Sequence, residues 1–344
     1  MSTTLCLDIG SGTQDVLLYS PDIELENCPK FVLPSPAKRV AARLAGLTEA
    51  GQSVYLAGGN MGGGFFGALK AHLQASLPMA AHPDAALAVF DDPARLESMG
   101  VQLLECAPEG YVPLLLADYD EGFWRAFLAA AGLEQPDQVV ACAQDHGHHQ
   151  HTGNRKGRFE LWERFLVQEQ GRPENLVFSH VPPELTRLRT LQRAIGGGLV
   201  SDTGSAAVLG ALWDGDVAAQ SRKHGITLVN IGNSHVLAFL LYAGRMWGVY
   251  EHHTGLMNGV KLWDQLQAFR EGRLTFEHVF DDNGHGCLRL DVPPQAGGFA
   301  PTFVLGPRRS MLAGCPVSLP CPGGDMMLAG CFGLLKGREL RSTK

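Results

Sequence analysis

At 344 residues, 45% hydrophobic and 18% charged, the chain carries enough apolar material for two full cores and is too apolar to be disordered. A formal net charge of −7 argues against general nucleic-acid or anionic-membrane binding, for which a basic face would be expected. The polar start MSTT and the lack of an apolar run of about 18 residues predict neither a secretory leader nor a membrane span, hence a cytoplasmic protein.

In chain order, TLCLDIGSGTQDVLLY (residues 4–19) alternates Leu5, Leu7 and Ile9 with polar or small residues, turns at Gly10, Ser11, Gly12 and Thr13, and resumes as a strand at Asp15. This predicts a hairpin with one acid, Asp8, before its turn. Such a turn suits phosphate, because glycines let the backbone approach closely, Ser11 and Thr13 offer hydroxyls, and Asp8 can hold Mg²⁺ through water. An ordinary tight hairpin has the same pattern. A Walker loop does not fit, since no Lys-Ser/Thr follows the glycines.

A helix follows over KRVAARLAGLTEAG, and QSVYLAGG from Gln52 is a short buried strand. Its end opens into GGNMGGGFFGALKAHLQ, a glycine-rich helix entry better explained by close packing than by phosphate. AALAVF (residues 85–90), YVPLLLADYD (111–120) and QVVACAQDHG from Gln138 are expected strands, separated by the helices DDPARLESMG and EGFWRAFLAAAGL. Continuous apolar strands alternating with helices indicate a largely parallel sheet covered on both faces.

RKGRFELWERFLVQEQ then places Phe159, Trp162, Phe165 and Leu166 on one helical face, and GGGLVSDTGSAAVLGALWDG ends in a helix of small residues. A polar turn near residues 221–224 marks a domain boundary, giving units 1–222 and 223–344. Beyond it, ITLVNIGNSHVLAFLLYAGRMWGVYEHHTG restates the opening hairpin, with Asn230 where Asp8 stood, Gly232 for Gly10 and Ser234 near Thr13. Two such hairpins imply two related half-domains.

Three groups of residues carry candidate chemistry. Gln144, Asp145 and His146 end an apolar strand, where ligands of parallel sheets gather, and His148, His149 and His151 follow. Glu251, His252 and His253 end a second strand; alternation sends His252 to one face and the other two to the opposite face, although a carboxylate with two imidazoles is the ligand set of many Zn²⁺ or Fe²⁺ sites. Asp202 precedes the small-residue helix, placed either to take a proton from a substrate hydroxyl or to cap the helix.

The paired hairpins resemble the sugar kinase, heat-shock ATPase and actin superfamily, in which one such loop from each domain grips the phosphates of ATP. ACAQDHG from Ala141 is similar to a substrate-side signature of carbohydrate kinases, and VSDTGSAAVLGAL is similar to the segment carrying their catalytic aspartate. The resemblance implies an α/β fold of two ribonuclease-H-like domains with a cleft between them. It also implies ATP and Mg as cofactors, with Asp8, Gly10, Ser11, Gly12 and Thr13 in one phosphate loop, Gly232, Asn233 and Ser234 in the other, and the metal on Asp8. The whole chain is also similar to a family of unknown function whose members are labelled pyruvate formate-lyase activating enzymes. That label fails a chemical test: the eight cysteines contain no CxxxCxxC to hold an iron–sulfur cluster.

The resulting expectation is a Mg-dependent ATP phosphotransferase acting on a small hydroxylated acceptor. The acceptor would lie beside Gln144, Asp145, His146, Glu251, His252 and His253, with Asp202 and His146 as catalytic groups. Its partners would be nucleotide and acceptor, and a homodimer is compatible with the sequence. A nucleotide-binding switch or scaffold is a second class, and a metal-dependent hydrolase built on the two histidine clusters is a third. An Asp202 side chain turned into a helix N-terminus would weaken the transferase reading.

Overall fold

The computed structural model describes residues 2–149 and 153–342. Its first hairpin pairs β1 (Thr4–Ile9) with β2 (Thr13–Tyr19), and β3 (Lys30–Pro34) extends it on the far side of β2. Ser35 then caps α1 (Pro36–Glu49), accepting from Lys38 N, with Pro36 in the first turn where its missing N–H costs nothing.

An inserted four-stranded parallel sheet follows. It is built from β4 (Val54–Gly58), β5 (Met79–Ala81), β6 (Gln102–Leu103) and β7 (Val112–Leu116), in the order β6-β5-β4-β7. With α2 (Phe66–Gln74), α3 (Pro83–Ala86) and α4 (Ala94–Glu97) it closes its own core around Leu44, Leu56, Leu69 and Leu114. The strand expected at residues 85–90 is displaced to Met79–Ala81. Pro83 fixes a helical first position there, and His82 Nδ1 accepts from Asp84 N at 3.1 Å, so the local signals start a helix.

After α5 (Glu121–Ala130), β8 (Gln138–Ala143) returns to the first sheet and lies parallel to β1. Beyond α6 (Asn154–Gln168), β9 (Val177–Phe178) and α7 (Thr186–Ala194), β10 (Val200–Ser201) lies parallel to β8. The sheet order is β3-β2-β1-β8-β10-β9. Leu5, Cys6, Leu7, Ala141 and Cys142 are fully buried, as expected of strands covered on both faces.

From there α8 (Thr203–Ala211) and α9 (Gly215–Lys223) lead to the second sheet. Its meander is β11 (Ile226–Ile231), β12 (His235–Tyr242) and β13 (Arg245–His253). After α10 (Gly259–Arg270) and α11 (Phe276–Asp281), β14 (Gly286–Arg289) pairs with β13 and β15 (Thr302–Leu305) lies parallel to β11, giving the order β14-β13-β12-β11-β15. Each sheet therefore contains the same unit, an antiparallel three-stranded meander whose first strand accepts a parallel neighbour. The protein is an α/β molecule built on two such meander-bearing sheets, with the hairpin turns of both lining a common cavity.

The helices α8 and α12 (Ala329–Ser342) lie between the sheets. Every residue of α8 from Gly204 to Ala211 is buried, and its glycines, alanines and serine let neighbouring chain approach closely. A Cβ on Gly210 would lie 1.9 Å from Ala329 O, and one on Gly333 would lie 1.9 Å from Ala206 O, so the two helices touch backbone to backbone. The chain crosses between the halves more than once. In α6, Phe159, Trp162 and Phe165 pack against Leu228, Phe239 and Val249 of the second sheet, while Cys331 and Phe332 of α12 return to Cys6 and Val140 of the first. Among the described residues no helix is long and apolar enough to cross a membrane.

Candidate functional site

The two hairpin turns are copies. Gly10 N donates to Thr13 O at 3.0 Å, and Gly232 N donates to His235 O at 2.9 Å. Behind each turn the next segment makes the same bond, Ser35 N to Gly12 O at 3.3 Å and Thr254 N to Ser234 O at 2.8 Å. Ile9 pairs with Gln14 and Ile231 with Val236, so Asp8 corresponds to Asn230, Gly10 to Gly232, Ser11 to Asn233 and Gly12 to Ser234. The place of Thr13, expected for Ser234, belongs to His235. The tips of the turns meet: Ser11 Oγ and Ser234 Oγ are 2.7 Å apart, and a Cβ on Gly12 would come within 2.5 Å of Asn233 Nδ2.

Around these turns lies a cavity of about 360 Å³, whose lining includes Asp8, Asp15, His146, Asn230, His235 and Gly306. The glycine-rich segment at residues 62–64 also lines it, a placement that the close-packing explanation did not foresee. Asp8 and Asp15 stand opposite each other across β1 and β2. Asp8 Oδ1 accepts from Cys142 Sγ at 3.2 Å, and α12 approaches so closely that a Cβ on Gly330 would lie 2.1 Å from Asp8 Oδ2. Asp15 is buried, and its Oδ1 has no hydrogen-bond partner. Burial raises the Asp8 carboxyl to about 6; burial, together with the charges of Asp8 and Asp325, raises that of Asp15 to about 8. Two such carboxyls, one with an orphaned buried oxygen, are a donor set that a hard divalent cation suits.

On the first-domain side, Asp202 caps α8 through Gly204 N (2.9 Å), and Arg158 holds it with two bonds, Nη1 to Oδ2 at 2.9 Å and Nη2 to Oδ1 at 3.2 Å. Both carboxylate oxygens are thereby engaged. Asp145 is similarly committed to backbone, accepting from Gly147 N (2.8 Å) and from Leu188 N in α7 (3.0 Å). Arg187 binds Asp118 at 2.7 Å and the carbonyl of Gln144 at 2.7 Å. His149 Nε2 lies 2.8 Å from His146 O, His148 Nδ1 is 4.0 Å from Asp91, and His151 lies outside the described residues.

The two histidine-bearing stretches converge. Cross-strand pairing of His235 with His253 and of Leu237 with Glu251 puts His235, Glu251 and His253 on one face. His285, immediately before β14, joins them by donating its backbone N–H to Glu251 O at 3.0 Å, and His146 arrives from the end of β8 in the other domain. One ligand-type atom from each of His146, His235, Glu251 and His285 lies within 4.8 Å of the other three. His252 faces away, its Nε2 3.2 Å from Asp282 Oδ2, so the expected trio of Glu251, His252 and His253 does not act together. His253 borders the group, with its ring centroid 4.7 Å from that of His285.

Glu251 is fully buried. Its Oε1 accepts from Gln144 Nε2 at 2.5 Å, and its Oε2 accepts from Arg158 Nε at 3.3 Å and Trp162 Nε1 at 3.4 Å. Burial opposes its ionisation, but Arg158 and the surrounding histidines hold its carboxyl well below the usual range. Burial pushes the imidazoles the other way, His285 down to about 4 and His146 and His235 below their ordinary value, so all three are neutral near pH 7. His146 Nε2, His235 Nε2 and His285 Nδ1 are buried without a hydrogen-bond partner. An orphaned buried polar group costs about 1–3 kcal/mol, so three at one place call for an explanation.

A family model described as "Putative pyruvate format-lyase activating enzyme (DUF1786)" matches residues 61–311. No curated protein matches the sequence. Among solved structures, the chain is similar to the activator of the 2-hydroxyisocaproyl-CoA dehydratase from Clostridium difficile, a structure with bound ADPNP. The identity is 8%, with 99% of this chain and 96% of that one covered and a TM-score of 0.35. It is also similar to the ethanolamine utilization protein EutJ from Carboxydothermus hydrogenoformans, at 8% identity, 97% and 89% coverage and a TM-score of 0.33.

Proposed function

We propose that this chain, which belongs to the DUF1786 family, binds a nucleoside triphosphate with Mg²⁺ in the cavity around its paired hairpin turns. The observation that carries this reading is the duplication itself: two turns with the same internal hydrogen bond, one from each half, meet tip to tip beside the half-buried Asp8 and the buried Asp15. Backbone N–H groups of glycine turns favour anions, and Ser11, Thr13 and Ser234 add hydroxyls. Asp8 and Asp15 are the groups that would hold the cation, which when bound would neutralise phosphate charge. These residues would position the triphosphate and keep it apart from bulk water.

Transfer of the γ-phosphate to a small hydroxylated acceptor would need a proton acceptor near the cavity. Asp202 is tied to Arg158 and to the start of α8, and Gln144 is tied to Glu251. The conclusion is accordingly nucleotide binding, with the base of any transfer sought elsewhere. Calorimetric titration of the full chain with ATP and with ADP, each with and without Mg²⁺, tests it. Mg²⁺-dependent binding of one nucleotide per chain, weakened in Asp8→Ala, is the expected result; equal affinity in wild type and Asp8→Ala would remove the role given to Asp8, and no binding would remove the reading.

A further inference from the structure

We propose that His146, His235, Glu251 and His285 form a binding site for a first-row transition dication, Zn²⁺ being the ion the donor set fits best. Four observations carry it. The four candidate ligand atoms lie within 4.8 Å of one another. Ligands bonded to a tetrahedral zinc at about 2.0–2.1 Å are separated by roughly 3.4 Å, so an ion would draw these four inward by about an ångström. Three imidazole nitrogens, one from each histidine, are buried without a hydrogen-bond partner, His285 Nδ1 lying 3.3 Å from Glu251 Oε1, and each carries a lone pair in the tautomer protonated on its other ring nitrogen.

Charge points the same way. Glu251 and Asp202 share one guanidinium, that of Arg158, so two buried carboxylates face one fixed cation, an excess of one negative charge. A cation between them would offset it. Glu251 is also held in place as metal-binding carboxylates are, by Gln144, Arg158 and Trp162.

Three nitrogens and one carboxylate select among ions. Mg²⁺ and Ca²⁺ prefer oxygen ligands and higher coordination numbers, whereas imidazole suits zinc and its neighbours. The proposed site is therefore distinct in chemistry from the Mg²⁺ site at Asp8, and neither depends on the other. Three of its ligands come from the second domain and His146 from the first, so a bound ion would cross-link the halves. His146 and His235 line the cavity, and any further coordination position of the ion would open there.

The test uses the full chain, stripped with a chelator and titrated with Co²⁺ as a visible probe. One Co²⁺ per chain is expected, displaced by an equivalent of Zn²⁺ and unaffected by millimolar Mg²⁺. His285→Ala and His235→Ala should each weaken binding beyond the about 10–100-fold typical of residues that merely orient ligands, a range in which Gln144→Ala should fall. His252→Ala, on the other face of β13, should bind as wild type does. Because a ligand variant could fail to fold, X-ray absorption on the wild-type zinc protein supplies an independent reading, with nitrogen and oxygen neighbours at about 2.0–2.1 Å expected. Sulfur neighbours, no stoichiometric uptake by folded wild-type protein, or unchanged uptake in folded His285→Ala would each overturn the proposal.

Discussion

The hydroxyls of Ser11 and Ser234 are 2.7 Å apart, although 223 positions separate them in the chain. That contact joins the turns of the two domains at the edge of the cavity containing Asp8 and Asp15. A triphosphate admitted between the tips of the turns would have to separate them.

This gives the first prediction. The paired change Ser11→Cys and Ser234→Cys places two thiols at a separation that a disulfide can span. Oxidation should abolish nucleotide binding and reductant should restore it, measured by calorimetry. Of the native cysteines only Cys106 and Cys321 are exposed, so both are replaced in the background protein. Undiminished binding by the oxidised protein would show that the tips need not separate.

Asp8 yields the second. Its carboxyl is raised by burial, so Asp8→Asn removes a group that is costly to ionise while keeping its shape. The melting temperature of the ligand-free protein should stay level or rise, whereas the additional stabilisation by Mg²⁺-ATP should disappear, since a ligand stabilises only what it binds. Differential scanning fluorimetry at several Mg²⁺ concentrations reads both. A retained Mg²⁺-dependent shift would move the metal away from Asp8.

The third concerns pH. Asp15 has its carboxyl raised from 3.8 to about 8, so the folded state holds a proton that the unfolded state releases. Its contribution to stability is fully present below about pH 4 and is lost as pH rises through about 8. Asp15→Asn should therefore stabilise the ligand-free protein at pH 8 and change it little at pH 4.5, with a melting-temperature gain of a few degrees at the higher pH. Equal effects at both pH values would mean that Asp15 ionises freely in the fold.

A fourth prediction separates structure from chemistry at Asp202. The asparagine of Asp202→Asn can still cap α8, but it leaves Arg158 facing Glu251 without its second carboxylate. Arg158 keeps its pairing with Glu251, so the loss is that of hydrogen bonding to a charged group, about 1.5–3 kcal/mol, and chemical denaturation should show a loss of that order. A stability change below about 1 kcal/mol, accompanied by loss of ATP turnover, would return Asp202 to the role of base.

Much of the architecture was legible because its signals are local. Alternation in TLCLDI and ITLVNI, glycines after each run, and Pro36 beside Ser35 fix strands, turns and a helix start from neighbouring residues alone. The site was half legible. His146 and Glu251 stand at strand ends and were readable there. His235 could have been found by aligning the hairpins on Gly10 and Gly232, since it falls where Thr13 does. His285, a single histidine in NGHGC, carries no local signal; only the pairing of β13 with β14 brings it to Glu251. Asp202 was read as proton acceptor or helix cap; the cap is seen, but nothing in its own segment announces Arg158, which comes from a helix 44 residues earlier.

The backbone contact between α8 and α12 decides what the molecule can do when it opens. With Gly210 on Ala329 O and Gly333 on Ala206 O, neither helix can slide past the other by the width of a methyl group without a clash. Phe239 and Leu237 bear on this helix pair at Gly204, and Cys6 and Val140 pack with its Ala206, Cys331 and Phe332, so an opening that keeps these contacts has to be a rotation about the helices rather than a separation from them. For such a rotation, displacement would be smallest at the α8–α12 contact and would grow toward the hairpin tips, where Ser11 meets Ser234 and Gly12 meets Asn233.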